Sequence, residues 1–176
     1  MAQLQGKVAF ITGAARGQGR AHAVRLAADG ADIIALDICQ NIETMDYPNA
    51  TPDELEETAA LVRNQGGRIL TRHVDVRDGE AVDDFLAQGV REFSGLDIVI
   101  ANAGITRISE SAEPRQLFRD IIDVNLVGVW NTVQAAVPAL IDGGRGGSVV
   151  ITSSTAGLKG VVSDRAGAQA YTASKR

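Results

Sequence analysis

Tyr171 and Lys175 stand four residues apart in Y-T-A-S-K, close to the last residue of the sequence. On a helix that spacing puts both side chains on one face, so an ammonium lies beside a phenol and favours its ionised form. Either residue alone means little: a single tyrosine is more often packing, and a single lysine more often a solvated face. The serines of the I-T-S-S run, Ser153 and Ser154, could equally end a strand.

A second set of residues lies near the other end, in T-G-A-A-R-G-Q-G, where Gly13, Gly17 and Gly19 enclose Arg16 and Gln18. The pattern is a spacing variant of the dinucleotide fingerprint. Glycines permit a tight turn and let the backbone approach a pyrophosphate, whose charge rests on the N-terminus of the following helix. A bare glycine triplet serves any tight turn, but this one follows a strand-like stretch and opens a helical one, which favours a nucleotide. Asp37 closes the second strand-like run. A carboxylate there accepts hydrogen bonds from the adenosine ribose hydroxyls and repels a 2′-phosphate, so NAD is expected over NADP. Arg16 pulls the other way, yet a phosphate paired with it would sit against the Asp37 carboxylate. A turn or helix cap is the alternative role for Asp37.

The elements that must position these residues follow from an alternation of short β-branched runs with longer amphipathic stretches. Strands are expected at 7–12, 32–37, 68–76, 97–102 and 148–153. Helices are expected at 17–29, 52–65, 79–93 and 115–141, with one more beginning around Ala168. Nearly continuous apolar strands separated by helical crossovers indicate an α/β domain, a doubly wound parallel sheet of Rossmann type. Thr51-Pro52-Asp53-Glu54 reads as an N-cap, a first-turn proline and first-turn acids. Pro114 should open the long helix in the same way, and Pro138 should kink it. The stretch from Ile38 to Thr51 exceeds the usual connection of ~2–6 residues and reads equally as a surface excursion or a functional lid.

Composition narrows the classes. The 176 residues suit one domain with its own core. Hydrophobic residues make up 45% and charged residues 22%, which argues against wholesale disorder. The formal charge of −5 argues against a nucleic-acid or anionic-membrane partner. No unbroken apolar run approaches the ~18 residues that span a bilayer. The N-terminus lacks a secretion-signal pattern, and the lone Cys39 suits a reducing compartment, so a cytoplasmic location is expected. No metal site is expected.

T-G-A-A-R-G-Q-G, Asp37, the pair Asp75-Val76, A-N-A-G at 101–104, Asn125 in D-V-N-L-V-G, I-T-S-S-T-A-G and Y-T-A-S-K occur in this order. Together they resemble the short-chain dehydrogenase/reductase family, and the resemblance runs along the whole chain. It implies an NAD-dependent oxidoreductase that interconverts a secondary alcohol and a ketone. In such an enzyme Tyr171 is the general acid/base that exchanges a proton with the substrate oxygen. That task asks for a shift of about 3 units from a free value near ~10, or ~4 kcal/mol. Lys175 supplies much of the shift and holds the nicotinamide ribose, while Ser154 donates to the reacting oxygen. Asn125 holds a water that relays protons from Lys175. Asp75 meets the adenine amino group with Val76 beside it, and Asn102, Ala103 and Gly104 line the cofactor. A homo-oligomer, a tetramer, is the implied assembly. His22, His73 and Trp130 read as surface or core. Two features depart from the family pattern: Ala101 stands where an asparagine is common, and the interval from Ser154 to Tyr171 is slightly long.

The excursion 38–51, with A-R-G-Q-G-R, Y-P-N-A-T-P-D-E-L and L-K-G-V-V-S-D-R-A-G, is similar to a narrower branch, the mycofactocin-coupled, carveol-dehydrogenase-like enzymes. That similarity implies NAD that does not exchange freely and is reoxidised by a mycofactocin redox carrier; a lid would slow its dissociation. The family's fold continues past the Tyr171 helix, so the NAD-binding domain 1–176 is expected to be incomplete at its C-terminus. The outer edge of the fifth strand would then be unpaired, and Lys175 would sit on a fraying end. A truncated or regulatory NAD-binding module without turnover is the alternative, as is an inactive remnant. An intact Tyr171–Lys175 pair favours the enzyme, because a binding module needs no acid/base.

Overall fold

The computed structural model describes residues 3–159 and 163–176. Five strands, β1 Val8–Thr12, β2 Asp32–Asp37, β3 Ile69–His73, β4 Ile98–Ala101 and β5 Ser148–Ile151, pair in parallel in the order β3-β2-β1-β4-β5. This is the doubly wound sheet that the alternation predicts. The order reverses between β1 and β4, and such a switch point opens a crevice at the carboxyl ends of the strands.

The core divides as strand geometry requires, since alternate side chains point to opposite faces. Val8 and Phe10 of β1 join Phe85 of helix α3 (Gly79–Phe93) and Leu117 and Ile121 of α4 (Pro114–Ile122). Ala9 and Ile11 join Ala23 and Ala27 of α1 (Gly17–Ala28) and Leu55 and Val62 of α2 (Pro52–Asn64). Each large side chain so buried contributes about 1.5–3 kcal/mol. Gly89 lets α3 approach β2, since a Cβ there would meet Ile34 Cδ1 at 2.5 Å.

The long helix expected at 115–141 is composite. α4 passes through a π-helical turn, Asp123–Val127, into α5 (Gly128–Asp142), which continues through Pro138. A π turn adds one residue to one coil of helix, and a continuous apolar stretch carries no mark of it. A short helix, α6 (Thr155–Lys159), was not expected, and α7 begins at Ala166 and ends at Ser174. β3 stops at His73, short of the expected 76, because Asp75 and Val76 belong to the turn before α3. Residues 160–162, part of the long interval before Tyr171 and of the L-K-G-V-V-S-D-R-A-G stretch, lie outside the described residues.

By length and composition alone the helical stretch Pro114–Asp142 could cross a membrane. It holds no unbroken apolar run, since Asn125, Asn131, Thr132 and Gln134 interrupt it. Here the helix packs against α3 and β4, with Asn125 and Thr132 buried in the protein. β5 is the expected open edge: Val149, Val150 and Ile151 are 41%, 49% and 55% exposed.

Candidate functional site

A cavity of about 340 Å³ occupies the crevice at the carboxyl ends of the strands. Gly13, Arg16 and Gln18 line it, as do Asp37, Asp75, Val76, Asn102, Ala103, Gly104, Tyr171 and Lys175. Residues far apart in sequence thus share one space. Gly17, Gly19, Asn125 and Ser154 do not line it.

The loop between β1 and α1 uses its glycines for different reasons. Gly13 has φ +68°, and a Cβ there would press on Ala103 Cα at 2.8 Å. Gly17 has φ +58° and open space around it, so conformation alone requires glycine. A Cβ on Gly19 would overlap the Gly13 carbonyl. The loop's acceptors are turned inward: Thr58 Oγ1 lies 3.0 Å from the carbonyls of both Ala14 and Ala15, which share its one proton, and Arg20 Nη2 donates to Ala15 O at 2.6 Å. At the start of α1 no side chain caps the first turn and no acid stands in it. Among the described residues the first-turn N–H groups thus have no side-chain cap and lie at the positive end of the helix dipole, which is what an anion needs.

Asp37 braces the backbone and lines the cavity at once. Its Oδ2 accepts from Ala15 N at 3.0 Å and its Oδ1 from Cys39 N at 3.3 Å, and it also faces the cavity. The Cys39 thiol is pushed up to about 12, first by burial and then by the charges of Asp37 and Glu54. Asp75 is gripped by Arg77, whose Nε and Nη2 donate at 2.8 and 2.6 Å. Asn102 braces the glycine loop, with Nδ2 donating to Thr12 O at 3.0 Å and Gly13 O at 3.2 Å. Thr12 Oγ1 in turn accepts from the backbone N–H groups of Asn102 and Ala103, both at 3.1 Å. The sequence reading missed Thr12, although a threonine ending a buried strand before a glycine loop was visible.

At the other end, Tyr171 and Lys175 meet as the spacing requires, with Nζ 5.9 Å from the phenol ring centroid. Lys175 is not on a loose end. It is 8% exposed, Nζ donates to Thr152 O at 2.9 Å, and Ser153 Oγ fastens its carbonyl at 2.9 Å. Burial pulls its ammonium below the usual lysine range. The fraying expected from its place at the end of α7 is prevented by these contacts with the segment after β5. Ser154 Oγ accepts from Ala156 N at 3.2 Å, capping α6. Asn125, in the π turn, is clasped by Ile105, with Oδ1 accepting from Ile105 N and Nδ2 donating to Ile105 O, each at 2.8 Å, and Nδ2 also reaches Ser174 Oγ at 3.3 Å. Gly104 keeps this corner open, since a Cβ there would stand 3.3 Å from Asn125 Oδ1 and 3.5 Å from Lys175 Nζ.

The excursion 38–51 forms a strap along the cavity, to which Ile42, Tyr47 and Asn49 contribute walls. Arg16 Nη2 donates to Pro48 O at 2.8 Å, and the Tyr47 hydroxyl accepts from Thr106 N at 3.2 Å. Arg107 Nη1 donates to Thr44 O at 2.7 Å, and Ser109 Oγ donates to Asp46. With Ile42, Thr44, Met45 and Asn49 all buried, the strap is packed structure and no loose surface excursion.

The family profile described as short chain dehydrogenase matches residues 7–176. An uncharacterised oxidoreductase of Mycobacterium tuberculosis is 55% identical over 172 residues, covering 98% of this chain and 62% of its own length. The (-)-trans-carveol dehydrogenase of Rhodococcus erythropolis is 48% identical over 162 residues, which is 91% of this chain and 58% of that enzyme. The crystal structure of carveol dehydrogenase from Mycobacterium avium in complex with NAD matches with a TM-score of 0.92 at 50% identity, covering 99% of this chain and 62% of that one. The chain therefore belongs to the short-chain dehydrogenase family. It spans about three fifths of the length of these relatives.

Proposed function

We propose that this chain is the nucleotide-binding and proton-transferring part of an NAD-dependent oxidoreductase that interconverts a secondary alcohol and a ketone. The observation that carries the reading is a shared cavity: the glycine loop and Asp37 line it together with Tyr171 and Lys175. NAD fits these residues. The uncapped start of α1 suits a pyrophosphate, and the Asp37 carboxylate, buried at the cavity wall, suits ribose hydroxyls and opposes a 2′-phosphate. Arg16, already engaged by Pro48 O, offers such a phosphate less than its sequence position suggests. The NAD in the Mycobacterium avium structure supports the choice.

When bound, the nicotinamide would supply or accept the hydride. The protein's part is the proton. Tyr171 gives it to, or takes it from, the substrate oxygen at its hydroxyl, with Lys175 Nζ 5.9 Å from its ring. Ser154 donates to the same oxygen once substrate is present, and Asn125 supports a water on the path from Lys175. Asp75 and Val76 receive the adenine, with Asn102, Ala103 and Gly104 along the cofactor. Carveol dehydrogenases among the relatives support an alcohol substrate.

The strap gives the reading its finer grain. Closed over one wall of the cavity, it favours NAD that exchanges slowly, with a mycofactocin-type carrier removing the electrons. The exposed apolar side chains of the π turn and α5, Leu126 and Val127 at the turn and Trp130 and Ile141 on α5, favour a homo-oligomer. The test is Tyr171→Phe, which removes only a hydroxyl. Turnover of secondary alcohols by the protein should fall by about 10²- to 10⁴-fold while NAD binding is kept. Retention of most activity would sink the assignment, and a wild-type protein that binds NAD without any turnover would make it a binding module.

A further inference from the structure

One fastening of the strap leads away from the cavity and then back to it. The Thr44 hydroxyl donates to Asp120 Oδ2 at 2.5 Å. Asp120 stands on the buried face of α4, is 7% exposed and does not line the cavity. Its Oδ1 accepts from Gln116 Nε2 at 2.8 Å and lies 3.8 Å from Arg77 Nη1. Arg77 grips Asp75, and Asp75 is a cavity wall. Thr44, Asp120, Arg77 and Asp75 thus form one polar chain from the strap to the end assigned to adenine.

A buried carboxylate is costly unless donors hold it, and these donors come from three places: the strap, α4 itself and the turn after β3. A helix packed on a sheet does not need an aspartate at such a position; Leu117 and Ile121 fill the same face with apolar groups. The strap has no helix or strand of its own, so its closure depends on the burial of Ile42 and Met45 and on a few bonds like this one. Thr44 is held at both ends, since Arg107 also grips its carbonyl. A hydroxyl donating to a carboxylate is roughly twice as strong as a neutral pair.

We propose that Asp120 is a positioning residue that latches the strap and, through Arg77, sets Asp75, so that it governs how fast the nucleotide leaves. The inference rests on the NAD reading above. It touches neither the proton path nor Tyr171.

The test follows NADH fluorescence as bound NADH is chased from the protein by excess NAD. Thr44→Val removes the hydroxyl and keeps the shape; Asp120→Asn keeps the shape and removes the charge facing Arg77. Each should speed release about tenfold or more, with association changed by less than about threefold. The double variant should release no faster than the faster single one, because both cut one chain. A merely structural role would lower the melting temperature and the fraction that binds, and would leave the release rate alone. Should Asp120→Asn fail to fold, Thr44→Val decides by itself. If the unaltered protein binds NADH and the variants release it at the same rate, or if their effects simply add, the latch is wrong and the NAD reading stands. If the unaltered protein takes up no NADH at all, the NAD reading fails and the latch with it.

Discussion

Helices α1 and α2 pack against each other on the same side of the sheet, but their first turns are completed in different ways. At α2 the Thr51 hydroxyl accepts from Glu54 N at 3.3 Å, the Glu54 carboxylate accepts from Thr51 N at 2.8 Å, and Pro52 removes one free N–H. At α1 the N-cap is Arg16, with no side-chain bond and no first-turn acid. Every helix start leaves unpaired donors. α2 satisfies its own with side chains, whereas α1 keeps its donors free and turns its loop acceptors toward Thr58 and Arg20. The difference separates a helix start that its own side chains complete from one left open, as the proposed phosphate site requires.

The comparison can be broken hardest at Gly19. Gly19→Ala places a methyl against the Gly13 carbonyl, so the loop must move. Titration calorimetry should then show no saturable NAD binding at concentrations that saturate the unaltered protein; tight binding by this variant would contradict the loop's role. A smaller effect is expected at Asp37. Asp37→Ala should weaken NAD binding by about 1–3 kcal/mol and narrow the preference over NADP. An unchanged preference would mean that the carboxylate serves only to brace Ala15 N. Smaller again, and opposite in kind, is Thr51→Ala: about 1 kcal/mol of folding stability lost in urea melts, with NAD affinity untouched. The smallest lies between the two helix starts. Cys39, its thiol held up at about 12 by burial, Asp37 and Glu54, should alkylate slowly with iodoacetamide at pH 8, as too little thiolate is present.

Both helix starts were legible in the sequence, because capping and tight turns are local and written in residue types. The five strands were legible for the same reason, as short runs rich in β-branched residues. What escaped depended on partners distant in sequence. The π turn at Asn125 is set by the grip of Ile105, 20 residues away. Lys175 looked loose because its anchors, Thr152 and Ser153, lie across a connection from it. The strap's length was visible, but its closure comes from Arg16, Thr106, Arg107 and Asp120, none of which its own residues announce.

Titration of the unaltered protein with NAD and with NADP tests the central claim most directly, that one cavity formed by the α1 loop, Asp37, Tyr171 and Lys175 holds NAD. One NAD should bind per chain, with NADP weaker by about tenfold or more because its 2′-phosphate meets Asp37. Failure to bind either nucleotide, or equal affinity for both, would contradict the account.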